Sequence, residues 1–120
     1  MRTVAVRDAA DPVIYRGERY GNFTYTIPVA SGKHTITLHF AETYFGPGKP
    51  GGGGVGSRVF DVYCNGVALL KNFDVYQTAG AADAAVDRTF TGLEPNAQGK
   101  FVLSFVPVRN YACINAIEVE

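Results

Sequence analysis

Tyr44 and Phe45 stand side by side where the alternating run Leu38-His39-Phe40-Ala41-Glu42 opens into a glycine-rich stretch. Successive side chains of a strand point to opposite faces, so one of the two rings must turn away from a core. Two readings stand even on this segment alone. In one, Phe45 caps the core and Tyr44 is an ordinary half-buried tyrosine. In the other, the pair meets a ligand. The chemistry would then be that of a sugar platform. A pyranose presents C–H groups that pack on a ring face, while its hydroxyls reach polar side chains. Tyrosine suits this role because it joins an apolar body to a polar tip. Tyr20, flanked by Arg19 and Gly21 in a polar segment, is a second aromatic of this kind, or else a loop anchor. Asn110, between Arg109 and Tyr111, has an amide able to bond hydroxyls, or else serves as a turn residue.

Other chemistries are poorly served. A hydrolytic triad would need His34 or His39, yet His34 adjoins a turn and His39 has the parity of a sheet-face residue. No serine occupies a G-x-S-x-G elbow. Glycoside hydrolysis needs two carboxylates across a cleft. Glu42, Asp61 and Asp74 are the candidates. Glu42 ends a strand and can face a cleft, whereas Asp61 and Asp74 suit backbone bonding equally well. Two formal G-x-G-x-x-G matches, Gly46-Gly48-Gly51 and Gly51-Gly53-Gly56, precede a strand rather than the helix a dinucleotide site requires. Lys49 is followed by Pro50, which excludes a P-loop. The sequon Asn22-Phe23-Thr24 is read as chance. Cys64 and Cys113 are too few for a zinc site. Buried thiols are favoured over a disulfide, because Cys64 shares the parity of Phe60 and Val62.

The elements that must position these residues are strands. Phe23–Val29, His34–Phe40, Val59–Cys64, Phe101–Val106 and Cys113–Val119 alternate in period two. Val67–Leu70, Phe73–Tyr76 and Val86–Phe90 are shorter candidates. Ala30-Ser31-Gly32-Lys33 reads as a short hairpin joining the first two runs. Asn65-Gly66 predicts a type I′ turn. Ala79–Ala85 leans helical but is too short and glycine-marked for a stable helix. Residues 46–57 form a long glycine-rich loop. With 120 residues and no linker, one domain spanning residues 1–120 is expected. Many short strands predict an all-β sandwich or barrel. Eleven basic residues balance eleven acidic ones, so there is no electrostatic case for nucleic acid or an anionic membrane. No apolar run approaches the roughly 20 residues of a spanning helix, so no membrane insertion is expected. The first eight residues lack the apolar block of a signal peptide.

Several blocks together resemble the malectin family of carbohydrate-binding domains. They are Tyr15-Arg16-Gly17-Glu18-Arg19-Tyr20-Gly21, the Phe23–Val29 run, and Phe40-Ala41-Glu42-Thr43-Tyr44-Phe45. Arg58-Val59-Phe60-Asp61-Val62 with Asn65-Gly66, Asn72-Phe73-Asp74-Val75 and Ile114–Val119 complete the set. The similarity runs from about Ala10 to the end, and its generic form looks most like a bacterial module. The resemblance implies a jelly-roll-like β-sandwich of two antiparallel sheets. It implies non-catalytic binding of glucose-containing di- or oligosaccharides by loops at one end, with no cofactor and no metal. It carries the family's binding aromatics onto Tyr20, Tyr44 and Phe45. An acidic contact of the family falls on Asn110, which retains hydrogen bonding without the charge. Glu42 is a further expected hydrogen-bonding partner. The family's N-terminal segment, with one more aromatic, is expected to be missing.

The resulting expectation is a carbohydrate-binding module in an extracellular, periplasmic or cell-surface bacterial protein, with a neighbouring catalytic domain in the parent chain. The competing expectation is a structural or protein-interaction sandwich that has lost the sugar site. In that reading a sheet edge freed by the missing segment pairs with a second copy to give a homodimer. An enzyme is the least supported reading.

Overall fold

A computed structural model describes residues 5–8, 19–21, 23–42 and 44–120, with side chains described from Phe23 onward. The strands are β1 (Ala5–Asp8), β2 (Arg19–Gly21), β3 (Phe23–Pro28), β4 (His34–Ala41), β5 (Val59–Cys64) and β6 (Val67–Phe73). A short helix, α1 (Val75–Ala79), follows. Then come β7 (Ala85–Leu93), β8 (Lys100–Arg109), β9 (Ala112–Ile114) and β10 (Ala116–Val119). One four-stranded sheet has the order β1-β10-β4-β7, and the other β3-β8-β5-β6. The pair β2-β9 forms a third, two-stranded piece. All pairings in the two large sheets are antiparallel except β1 with β10.

Alternation decides which residues fill the space between the sheets. Ile36, Leu38 and Phe40 of β4 face Phe60 and Val62 of β5 and Phe101, Leu103 and Phe105 of β8, all essentially fully buried. Phe40 meets Phe60 and Phe73 at 5.7 and 4.9 Å between ring centres. Phe23 stacks on Phe105 at 4.8 Å. Such offset and tilted ring pairs add to the burial of apolar area. Cys64 and Cys113 are both buried in this core as thiols, and burial raises the Cys64 thiol pKa.

Three expectations need correction. Ala30–Lys33 does not close a hairpin, because β3 and β4 belong to different sheets. The Val29 N–H donates to the Gly99 carbonyl, so β3 stays with β8 while the chain crosses to the other layer. Phe73–Tyr76 is not one strand. β6 ends at Phe73, and Val75 begins α1. Asp74 caps that helix by accepting from the Gln77 N–H at 3.0 Å, and Gly80 ends it in a left-handed conformation. Tyr20 lies on β2 rather than in a loop, opposite Cys113 of β9. The Asn65-Gly66 turn forms as expected, with φ of 50° and 81°. The Asn65 side chain also accepts from the Val102 N–H at 2.8 Å, tying the turn to β8.

The topology gathers three chain segments at one end of the sandwich. Val59 at the start of β5 pairs with Arg109 at the end of β8. The chain between β4 and β5 emerges beside that point, as does the turn from β8 into β9. That end is where the candidate site lies.

Candidate functional site

The site is built on a carboxylate that continues the inward parity of β4. After Ile36, Leu38 and Phe40, the next inward position is Glu42, and it is fully buried. Its carboxylate is satisfied in two directions. On one side Arg58 Nε donates to Oε1 at 2.7 Å, and Arg58 Nη2 reaches Oε2 at 3.4 Å. On the other, the N–H groups of Tyr44 and Phe45 both donate to Oε2, at 3.1 and 3.2 Å. Arg58 has the inward parity of Phe60, Val62 and Cys64, immediately ahead of β5. Both side chains are almost completely buried, at 1% and 2% exposure, so the charges meet in a region of weak screening. The ion pair therefore bridges the two sheets and fixes the backbone on which the aromatic pair is mounted.

Arg58 does more than neutralise Glu42. Its Nη1 donates to the Tyr111 carbonyl at 2.7 Å, and its guanidinium lies 5.1 Å from the centre of the Phe45 ring. That separation suits a cation–π contact. Phe45 in turn meets Tyr44 edge-to-face at 4.9 Å. Phe45 is half-buried between Arg58 and Tyr44, while Tyr44 is 44% exposed.

The glycine-rich loop is folded against this pair. The Gly51 N–H donates to the Tyr44 carbonyl at 2.8 Å and the Gly46 N–H to the Gly52 carbonyl at 2.7 Å. A Cβ on Gly51 would sit 2.5 Å from Tyr44 Cε2 and 2.7 Å from Phe45 Cδ1, so only glycine lets the loop approach so closely. Further along, the Gly56 N–H donates to Asp74 Oδ2 at 2.6 Å. Asp74 thus joins the loop to the helix it caps. Lys49 forms an ion pair with Asp83. Asn110 adopts φ of 58° at the turn into β9, and its Nδ2 donates to the Ser57 carbonyl.

These segments enclose an open cleft of about 420 Å³, lined by Tyr44, Phe45, Gly51, Arg58, Asn110 and Tyr111. Three sequence-predicted residues, Tyr44, Phe45 and Asn110, come together on its wall. Glu42 does not line it. It lies beneath, committed to Arg58 and two backbone amides, and so differs from the direct hydrogen-bonding partner that was expected. The Tyr20 side chain lies outside the described residues. Its backbone pairs with β9 two residues beyond Tyr111. Arg58 and Tyr111 were not foreseen. For Arg58 the signal was present, because Glu42 and Arg58 extend the inward alternation of β4 and β5 by one step each. A carboxylate at a core position requires a partner.

The remaining candidates are placed elsewhere. Asp61 accepts from the Asn72 N–H at 2.8 Å and from Lys71 Nζ at 3.0 Å, at the bulged pairing of β5 and β6. The Asn72 hydrogen bond, followed by Lys71 and Tyr63, holds its pKa below the usual value against the opposing effect of burial. His39 sits on the outer face of its sheet, bonded to Asp87 at 2.6 Å and Glu118 at 3.0 Å. His34 bonds the Ala30 carbonyl at 2.7 Å. Among the described residues no cluster of three His, Cys, Asp or Glu could hold a metal ion.

The Malectin domain family model matches residues 1–117. The chain belongs to the malectin family. Malectin-B of Xenopus laevis is 35% identical over 77 residues, covering 62% of this chain and 25% of that protein. The receptor-like protein kinase FERONIA of Arabidopsis thaliana is 36% identical over 103 residues, covering 81% of this chain and 11% of that protein. The solved structure of the plant receptor-like kinase FER superposes with a TM-score of 0.65 at 31% identity, over 86% of this chain and 27% of that one. The chain thus spans a quarter or less of the length of these curated relatives.

Proposed function

We propose that this malectin domain is a non-catalytic carbohydrate-binding module that takes glucose-containing di- or oligosaccharides in the Tyr44–Tyr111 cleft. The observation that carries the proposal is the mounting of Tyr44. A large aromatic ring stands 44% exposed on a cleft wall, while its backbone is fixed by a buried ion pair and a close-packed glycine. Holding a platform rigid before the ligand arrives lowers the ordering cost of binding. The Phe45 edge completes the apolar surface, and Asn110 Oδ1 and the Tyr44 hydroxyl are available to sugar hydroxyls.

The cleft lining favours binding over hydrolysis. Among the described residues, none that lines it is a carboxylate or a histidine. Glu42, Asp61 and Asp74 are each engaged in the hydrogen bonds already described. Family membership supports the same reading. Tyr20 is proposed as a further contact, because its register on β2 places it near the turn that carries Tyr111. An extracellular or cell-surface place in a larger protein belongs to the same proposal.

One or two sugar rings offer little apolar area, so a Kd of about 10 μM to 1 mM is expected. Calorimetric titration with maltose, nigerose and cellobiose tests this. At least one should bind, and Tyr44→Ala should weaken it roughly tenfold through loss of a stacked ring. Binding heat unchanged by Tyr44→Ala would remove the proposed site.

A further inference from the structure

The cleft has a second exposed tyrosine. Tyr111 is 63% exposed, the more open of the two tyrosines that line the cleft among the described residues. Exposure of a single aromatic carries little weight, since isolated surface rings are common. The way its backbone is held carries more. The Tyr111 carbonyl accepts from Arg58 Nη1 at 2.7 Å. Asn110 just before it is tied to the Ser57 carbonyl. Ala112, Cys113 and Ile114 just after it are buried in β9. The ring is therefore presented to solvent from a fixed backbone.

The same guanidinium also holds the other wall. Arg58 binds Glu42, and Glu42 holds the N–H groups of Tyr44 and Phe45. One buried arginine thus sets Tyr44 and Tyr111 relative to each other, from two chain segments far apart in sequence. Among the described residues neither tyrosine hydroxyl has a hydrogen-bonding partner. A cleft of about 420 Å³ lies toward the small end of ligand sites, which run from roughly 300 to 1,000 Å³, and so suits a short ligand such as a disaccharide.

We infer that Tyr111 is a ligand-contacting residue that receives the second sugar ring of a disaccharide whose first ring sits on Tyr44. This inference rests on the sugar-binding reading and deepens it, because it assigns chain-length selectivity to one side chain. Tyr111 contacts the ring that a monosaccharide lacks. Its removal should therefore weaken disaccharide binding and leave monosaccharide binding alone.

The test is a pair of NMR titrations of the whole chain. The ligands are methyl α-glucoside and whichever of maltose, nigerose and cellobiose the unaltered protein binds most tightly. The proteins are the unaltered chain, Tyr44→Ala and Tyr111→Ala. Tyr111→Ala should lose about tenfold for the disaccharide, as expected for one stacked ring, and change less than about twofold for the glucoside. Tyr44→Ala should weaken both. Disaccharide affinity unchanged in Tyr111→Ala, or an equal loss for both ligands, overturns the assignment while the sugar site stands. Failure of the unaltered protein to bind any of the three disaccharides overturns both.

Discussion

Replacing Glu42 by glutamine removes one charge from the base of the site and almost no volume. The Glu42 carboxylate faces donors on both sides, Arg58 at 2.7 Å and the Tyr44 and Phe45 amides at 3.1 and 3.2 Å. An amide has only one acceptor oxygen. Whichever way it turns, its NH2 faces a donor. If the oxygen serves the backbone, the NH2 meets the guanidinium, and if it serves the guanidinium, the NH2 meets two backbone N–H groups. Arg58 also loses the Glu42 anion at 2% exposure. Breaking a buried pair from one side costs about 3–5 kcal/mol. A domain of 120 residues loses about 0.25 kcal/mol per kelvin near its midpoint, so Tm should fall by roughly 12–20 °C. Thermal unfolding followed by circular dichroism measures this. Asp87→Asn is the control. It breaks a contact with His39 in which Asp87 is 57% exposed, and should cost less than about 1 kcal/mol. Adding Arg58→Met to Glu42→Gln removes the guanidinium that faces the lost carboxylate and should restore part of the loss. A Glu42→Gln protein that melts within about 4 °C of the unaltered one would mean that the buried pair contributes little to holding the site.

Three further outcomes follow from the same contacts. Gly51→Ala places a methyl group 2.5 Å from Tyr44 and should weaken disaccharide binding at least about tenfold, read by calorimetry, with a stability loss of only about 1–3 kcal/mol. Asp61 has a native pKa held below its unfolded value, so the unfolded chain binds more protons in that interval. Its contribution to stability is present above the unfolded pKa near 3.8 and is lost as pH falls through the lower native value, and Asp61→Asn should flatten that acid limb in urea melts between pH 5 and 2. Cys64 and Cys113 should react with a thiol reagent only after unfolding, because both are buried and the Cys64 pKa is raised.

The sandwich was legible wherever alternation ran long enough. Ile36, Leu38 and Phe40, and likewise Phe101, Leu103 and Phe105, declare an inward face whatever their partners. Asn65-Gly66 declared its turn, because few other residues accept positive φ at both positions. What alternation cannot state is which sheet a strand joins. Ala30–Lys33 has the composition of a hairpin turn and instead carries the chain across the layers. β2, with three residues, and α1, with five, are too short to show a period. Their evidence is a pairing partner and a capping aspartate, both settled by tertiary contacts.

The site was legible in part for the same reason. Tyr44 and Phe45 were visible as adjacent rings that cannot both face a core, and Asn110 as an amide beside a turn. Glu42 was noticed, but as a group at a strand end facing the cleft and bonding the ligand. Its parity said otherwise, and Arg58, in step with Phe60 and Val62, was its answer across the sheets. Tyr111 was hidden because an exposed tyrosine beside a turn has no periodic signature. Only the fold brings it to the cleft that holds Tyr44.

The place where sugar binds is read directly from the map of backbone amide shifts at saturation with a bound glucose disaccharide. The largest shifts should fall on Tyr44, Phe45, Gly51, Asn110 and Tyr111, with the outer faces around His39 and Tyr63 unmoved. Shifts centred on either sheet face, or none at all with maltose, nigerose and cellobiose, would mean that the cleft is not a sugar site.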